Sequence, residues 1–190
     1  FKKLKDLTII SASKKAKKKF NKKIKFLCPR SEIWDNFGRN IKYFISVLLL
    51  IKKIIYSRNI VVLSFQANIY AVIICKIFFV KIITRSNSFP DDWSNNFFKK
   101  FIFKNILRLA NKNIVNSMQV KNKFKSKYKI NPECIYNPLN KKQIIKLSRH
   151  KVKKIYFKKN VLKIIHVGRF SEEKDHYTLL KSLLDRKSVV

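Results

Sequence analysis

Glycine is nearly missing from this chain, with only Gly38 and Gly168 among 190 residues. No Gly-x-Gly-x-x-Gly turn can follow a strand, which argues against a dinucleotide-dependent oxidoreductase. Cysteine is scarce as well. Cys28, Cys75 and Cys134 stand far apart without paired spacing, and there are three histidines to join them. They read as reduced core thiols of a cytosolic protein, with no disulfide framework and no metal site. Long apolar runs are lacking too. The stretch from Ala67 to Ile83 is broken by Lys76 and Lys81, and that from Ile41 to Ile55 by Lys52 and Lys53. Neither gives the roughly 20 uninterrupted residues that span a bilayer. No cleavable signal pattern is legible, and the opening on Phe1 rather than Met is what missing upstream coding sequence would produce.

Hydrophobic residues make up 46% of the chain and include 16 Phe, which places it among globular proteins despite 29% charged residues. Its length suits one domain, or one domain plus the opening of a second. Lys and Arg number 45 against 10 Asp and Glu, a net charge of +35. Such a field attracts polyanions. A nucleic-acid module, however, gathers its charge on one element and uses Arg for bidentate contacts, whereas Lys is spread here from end to end. Abundant Asn, Ile, Phe and Tyr with little Gly, Ala and Pro match an AT-rich coding sequence. No nucleic-acid partner is therefore expected, and the cluster from Lys14 to Lys25 reads as a solvated helix and loop.

Short β-branched runs alternate with longer helical stretches, the rhythm of βα units on a parallel sheet. Strands are expected at Leu7 to Ser11, Ile24 to Cys28, Ile60 to Phe65, Val80 to Thr84, Asn113 to Asn116, Glu133 to Tyr136 and Val161 to Val167. Helices are expected over Gly38 to Tyr56, Asn68 to Phe78, Asn95 to Ala110 and Ser117 to Lys127. The stripe of Phe97, Phe98, Phe101 and Phe103 reads as core rather than as a stacking platform for bases. Residues 138–160 are Lys-rich and weakly periodic, so a domain boundary is placed there.

The segment Val161 to Leu184, VLKIIHVGRFSEEKDHYTLLKSLL, is the most informative. A buried strand would deliver Gly168 at its carboxyl end, followed by a loop from Arg169 to Lys174 and a helix from near Asp175. Anionic ligands sit at such strand ends, close to helix N-termini. Gly168 allows close backbone approach, Arg169 offers a planar fork of donors and Lys174 a mobile point charge. Together they suit a diphosphate, although Arg and Lys in such a loop are more often solvated charges than ligands. His166 reads as a satisfied strand residue and His176 as part of the helix start, neither with a catalytic role.

The stretch HVGRFSEEKDHYTLL resembles the VGR-then-Lys signature of family 4 glycosyltransferases, retaining enzymes of the GT-B fold. CIYNPLN at Cys134 to Asn140 is similar to the last strand of their first domain, and NIVNSMQVKNKF at Asn113 to Phe124 to the strand, Ser and helix before it. The stretch from Ile60 to Pro90 is similar to the central βαβ unit of members with an Arg-x-Asn loop. The resemblance covers Ile60 to Leu184, with the four motifs in order.

The resemblance implies an α/β fold of GT-B type. Residues 1–137 would be part of an acceptor-side Rossmann-like domain with a doubly wound parallel sheet. Residues 138–160 would be the interdomain linker, and 161–184 the first βα unit of a C-terminal nucleotide-sugar-binding Rossmann-like domain. It further implies that Gly168, Arg169 and Lys174 bind the donor diphosphate without a metal or other cofactor. Arg85 and Asn87, in the loop after a central strand, would line the cleft toward donor or acceptor, against the alternative of a surface Arg and a turn Asn. The implied partners are a nucleotide-sugar and a glycan or lipid-linked glycan acceptor, with the protein cytoplasmic and in peripheral contact with the inner face of an anionic membrane. A Gly-rich loop would lie before Phe1 and a paired-glutamate motif beyond Leu184, so the stretch alone is expected to be inactive. Gln66 and Asn68 stand where many members carry a His. Residues 185–190 back-translate to a common sequencing adapter and are expected to be foreign. The competing reading is a non-catalytic, basic nucleic-acid-binding protein, which would need one continuous basic face.

Overall fold

The computed structural model describes residues 6–18, 20, 24–89, 96–150 and 164–187. It divides the chain into two compact units, Phe1–Leu139 and Asn140–Val190. The first is an α/β unit with parallel sheets. Its order is β1 (Thr8–Ile10), α1 (Lys14–Lys17), β2 (Lys25–Leu27), α2 (Arg39–Tyr56), β3 (Val61–Ser64), α3 (Asn68–Ile77), β4 (Lys81–Ser86), α4 (Phe97–Arg108), β5 (Lys112–Val115), α5 (Met118–Lys123) and β6 (Glu133–Cys134). Each strand and helix expected before residue 137 is present, with ends within about two residues. The exception is α5, which passes into a single π-turn, Phe124–Tyr128.

Strands β3, β4, β5 and β6 pair in that order, all parallel, with Val62 opposite Ile82, Thr84 opposite Asn113 and Val115 opposite Cys134. Strands β1 and β2 form a separate parallel pair. Among the described residues no strand joins β1 to β3. The doubly wound sheet expected from the sequence is thus seen as two sheets, neither with a reversal of strand order. Right-handed crossovers place the three helical connections of β3 to β6 on one face.

Alternation in β4 explains that face: Ile82, Thr84 and Ser86 are buried while Lys81 is exposed. Onto it α3 presents Asn68, Ala71, Val72 and Cys75, the three- and four-residue spacing of a helix stripe. These residues join Leu50 and Ile54 of α2 and Val80 in one core cluster. A second cluster gathers Phe89, Leu107, Val115, Phe124, Tyr128 and Ile130. In it the Phe89 ring meets Phe124 edge-on at 5.2 Å and Tyr128 at 4.9 Å.

Asparagine and serine start the helices and brace the sheet. Asn96 Oδ1 accepts from the Phe98 and Lys99 amides at the start of α4, and Ser117 Oγ from the Val120 amide at the start of α5. Inside the sheet, Thr84 Oγ1 donates to Asn113 Oδ1 at 2.6 Å. The Ile82 amide donates to Asn111 Oδ1 at 2.9 Å.

One core assignment is corrected. Phe97, Phe98 and Phe101 are 80%, 73% and 58% exposed, and only Phe103 of that stripe is half-buried. Leu107 occupies the inner face of α4, with Ile106 packed on the first cluster. Spacing identified a stripe but not the side of the helix that meets the sheet.

In the second unit, α6 (Lys141–Ser148) lies where an irregular linker was expected. Its start is legible afterwards: Asn140 Oδ1 accepts from the Gln143 amide at 3.1 Å, and Asn140 Nδ2 donates to Gln143 Oε1 at 3.3 Å, a variant of the capping box. The rest of that linker, 151–160, and the first part of the strand expected at Val161 to Val167 lie outside the described residues. Its described part, Ile164 to Val167, is not a strand, because no neighbour among the described residues offers it a ladder of hydrogen bonds. A 3-10 turn at Glu172–Lys174 then leads into α7 (His176–Lys187). The backbone of α7 continues through Asp185, Arg186 and Lys187 without a break at Leu184.

Candidate functional site

In the first unit the polar side chains converge at the carboxyl ends of β3 and β4, where parallel sheets receive ligands. Ser64 ends β3, and its hydroxyl lies 2.7 Å from Asn68 Oδ1 and 2.8 Å from the Gln66 carbonyl. Ala67 between them is left-handed, φ 54°, which turns the chain sharply into α3. Asn68 Nδ2 crosses to β4, donating to the Arg85 carbonyl at 3.0 Å and approaching Ser86 Oγ at 3.4 Å. A buried amide thus ties the β3–α3 turn to the end of β4, on either side of Arg85. The amide serves the fold.

Arg85 is the penultimate residue of β4 rather than a loop residue, and Asn87 is the first exposed position beyond the strand. Its guanidinium is held on three sides. Arg85 Nη2 donates to Asn137 Oδ1 at 2.7 Å and to the Ile135 carbonyl at 3.3 Å, and the Phe65 ring lies 5.8 Å from the guanidinium carbon. Sequence reasoning singled out Arg85 and Asn87 but missed Phe65 and Asn137. The Asn-Pro turn at Asn137 was noted as a strand end, but only the pairing of β4, β5 and β6 brings it beside Arg85.

The second unit holds the loop from Gly168 to Lys174. Gly168 does not have a positive φ. A Cβ added there would come within 3.3 Å of His166 Nε2 and 3.4 Å of Lys174 Cγ, so the lysine stem folds back across this glycine. His176, the first residue of α7, braces the loop. Its Nε2 lies 2.8 Å from the Arg169 carbonyl, and its ring contacts those of His166, at 4.6 Å, and Phe170, at 4.8 Å. Asp175 is left-handed, φ 41°, and its carboxylate accepts from the Thr178 amide at 3.1 Å, which starts the helix. The Ser171 hydroxyl in the same loop is buried and has no hydrogen-bond partner among the described residues. Gly168, Arg169 and Lys174 are all exposed. His166 and His176 thus act as loop supports, a role visible only once the ring contacts are known.

Cys75 is fully buried, and burial pushes its thiol up to about 11. It stays protonated at neutral pH and cannot serve as a nucleophile there. Among the described residues no group of three or more His, Cys, Asp or Glu could hold a metal ion, and no helix is long and apolar enough to cross a membrane. A scan against protein-family models and a search of curated proteins return no match to this sequence.

Proposed function

We propose that the chain carries part of a nucleotide-sugar-dependent glycosyltransferase of GT-B type, with the loop from Gly168 to Lys174 as its diphosphate clamp. The observation that carries this reading is the fold of that loop. Lys174 returns over a glycine without a side chain, Arg169 follows that glycine directly, and the loop leads into α7. When the bond between the sugar and the diphosphate breaks, negative charge grows on the departing nucleotide. Arg169 and Lys174, brought to the diphosphate from this one loop, would stabilise that charge without a metal ion. In the first unit, Arg85, oriented by Asn137 and Phe65, and Asn87 supply donors for a polar acceptor or donor group. The acceptor class is a cell-surface polysaccharide or a lipid-linked oligosaccharide.

The test is calorimetric titration of the chain with nucleoside diphosphates and nucleotide-sugars. Arg169→Ala and Lys174→Ala should each weaken binding about ten- to a hundredfold, the value of a charge-assisted contact. In an active transferase they should slow transfer by about two to three orders of magnitude. Stability should change by only about 0.5 kcal/mol, since both side chains are exposed. Lys142→Ala, on exposed α6, is the neutral control. Wild-type affinity in both loop variants would remove the clamp and the reading with it.

A further inference from the structure

Helix α2 turns Leu50 and Ile54 into the core. A neighbouring side of the same helix, with Leu49, Lys52, Lys53 and Tyr56 at the spacing of one helix face, instead looks across a groove toward β2 and the residues that follow it. The groove has a volume of about 620 Å³ and lies within the first unit. Sites for small organic ligands fall in that size range. Its lining is of two kinds. Phe26 and Leu27 from β2 and Leu49 from α2 are half-buried and apolar. Lys25, Arg30, Lys52 and Lys53 supply four cations, and no Asp or Glu is among the described residues that line the groove. Two of the four have local explanations. Lys25 pairs with Asp6 at 3.2 Å, and Lys53 Nζ lies 3.4 Å from the Ser57 hydroxyl in the last turn of α2, where a helix favours a cation. Arg30 and Lys52 are exposed and have no acidic partner among the described residues.

We propose that this groove binds an organic phosphate monoester, with its apolar body against Phe26, Leu27 and Leu49 and its phosphate between Arg30 and Lys52. The mixed lining selects this chemistry. An apolar floor alone would take a neutral ligand, and cations alone would take any anion, whereas both together fit a compact apolar body that ends in negative charge. A phosphate monoester carries about −1.5 to −2 charges at neutral pH, which matches two cations without acidic partners. The planar fork of Arg30 suits phosphate oxygens, and Lys52 adds a point charge from the helix side. Position agrees with charge. Cys28, Pro29 and Arg30 follow the last residue of β2, at the strand end where parallel sheets receive ligands. The groove shares no residue with the loop from Gly168 to Lys174, and its occupancy requires no transferase activity.

The experiment is titration of the whole chain with 1-naphthyl phosphate, read by calorimetry and by the rate at which iodoacetamide alkylates Cys28, a half-buried lining residue. Wild type should bind this ester at least about tenfold more tightly than inorganic phosphate, 1-naphthol or 1-naphthoate, which lack the apolar body, the anion and the second charge respectively. Saturating ester should slow alkylation of Cys28 about tenfold and leave that of Cys134, outside the groove, unchanged. Arg30→Ala and Lys52→Ala should each weaken binding about tenfold, the loss of one charge-assisted contact. Both side chains are exposed, so circular dichroism should show an unchanged fold. Lys99→Ala, on exposed α4 surface, should bind as wild type does. The proposal is overturned if wild type does not bind the ester, if 1-naphthoate or inorganic phosphate binds as tightly, or if binding leaves Cys28 unprotected. It is equally overturned if Arg169→Ala or Lys174→Ala abolishes ester binding while Arg30→Ala and Lys52→Ala retain it, which would move the ligand to the other loop. Failure of the groove leaves the nucleotide titrations of that loop untouched, and failure of the diphosphate clamp leaves protection of Cys28 untouched.

Discussion

Four described residues adopt the left-handed backbone conformation, Ala67, Phe79, Lys129 and Asp175, and none is glycine. Helix ends normally place Gly at such a point, because a Cβ there crowds the following carbonyl. Phe79 follows α3, and the next amide, Val80, donates to the Cys75 carbonyl at 2.7 Å. Lys129 closes the π-turn, with the Ile130 amide donating to the Phe124 carbonyl at 3.3 Å. Both side chains are exposed, so removing them forfeits little packing. Phe79→Gly and Lys129→Gly should each raise unfolding stability by about 0.5–1 kcal/mol, the relief of left-handed strain less the greater freedom of Gly in the unfolded chain. Urea denaturation is the check, and the two gains should add, since the residues lie at different helix ends. None of this was legible from the sequence, where a Phe or a Lys gives no stop signal.

At the scale of elements, the β3–α3–β4 unit depends on Asn68. Its Oδ1 meets the Ser64 hydroxyl and its Nδ2 the Arg85 carbonyl, so Asn68→Ala removes both bonds, leaving Ser64 the Gln66 carbonyl and the Arg85 carbonyl without this donor. The expected loss is about 1–3 kcal/mol. Faster amide exchange at the end of β4 should accompany it, which would loosen Arg85 without touching its side chain. If the variant unfolds at the wild-type urea midpoint, the tie between β3 and β4 is not structural. Element positions were readable because periodicity and capping are local: Asn96 and Ser117 mark helix starts, and the alternation in β4 marks a strand. Sidedness was not, as α4 shows, because the same stripe of Phe can face a sheet or face outward.

Across the whole molecule, charge is the dominant unbalanced quantity. Ten acids face 45 bases. The three described ion pairs, Lys18–Glu32, Lys25–Asp6 and Lys112–Glu133, are exposed, and pairs of that kind contribute little. Self-repulsion should therefore work against the compact state. Raising sodium chloride from low to about 0.1 M, where the Debye length is about 10 Å, should raise the thermal midpoint followed by circular dichroism. A midpoint that stays level or falls with salt would show that the lysines are spaced too far apart to interact.

The sequence by itself determined the parallel α/β character, the places of the six strands in the first unit, and the candidate residues Arg85, Asn87, Gly168, Arg169 and Lys174, since these depend on local pattern and residue chemistry. It placed a boundary over residues 138–160, whereas the structure divides the chain after Leu139. Tertiary structure alone decided that Asn137 and Phe65 hold Arg85, that His176 braces the loop carrying Arg169, that Lys174 folds over Gly168, and that Phe97, Phe98 and Phe101 face outward. Each of these facts joins residues whose proximity, or whose lack of a neighbour, is set by the pairing of strands and the packing of helices. A linear pattern records which side chains are available, and only the folded chain determines which of them meet.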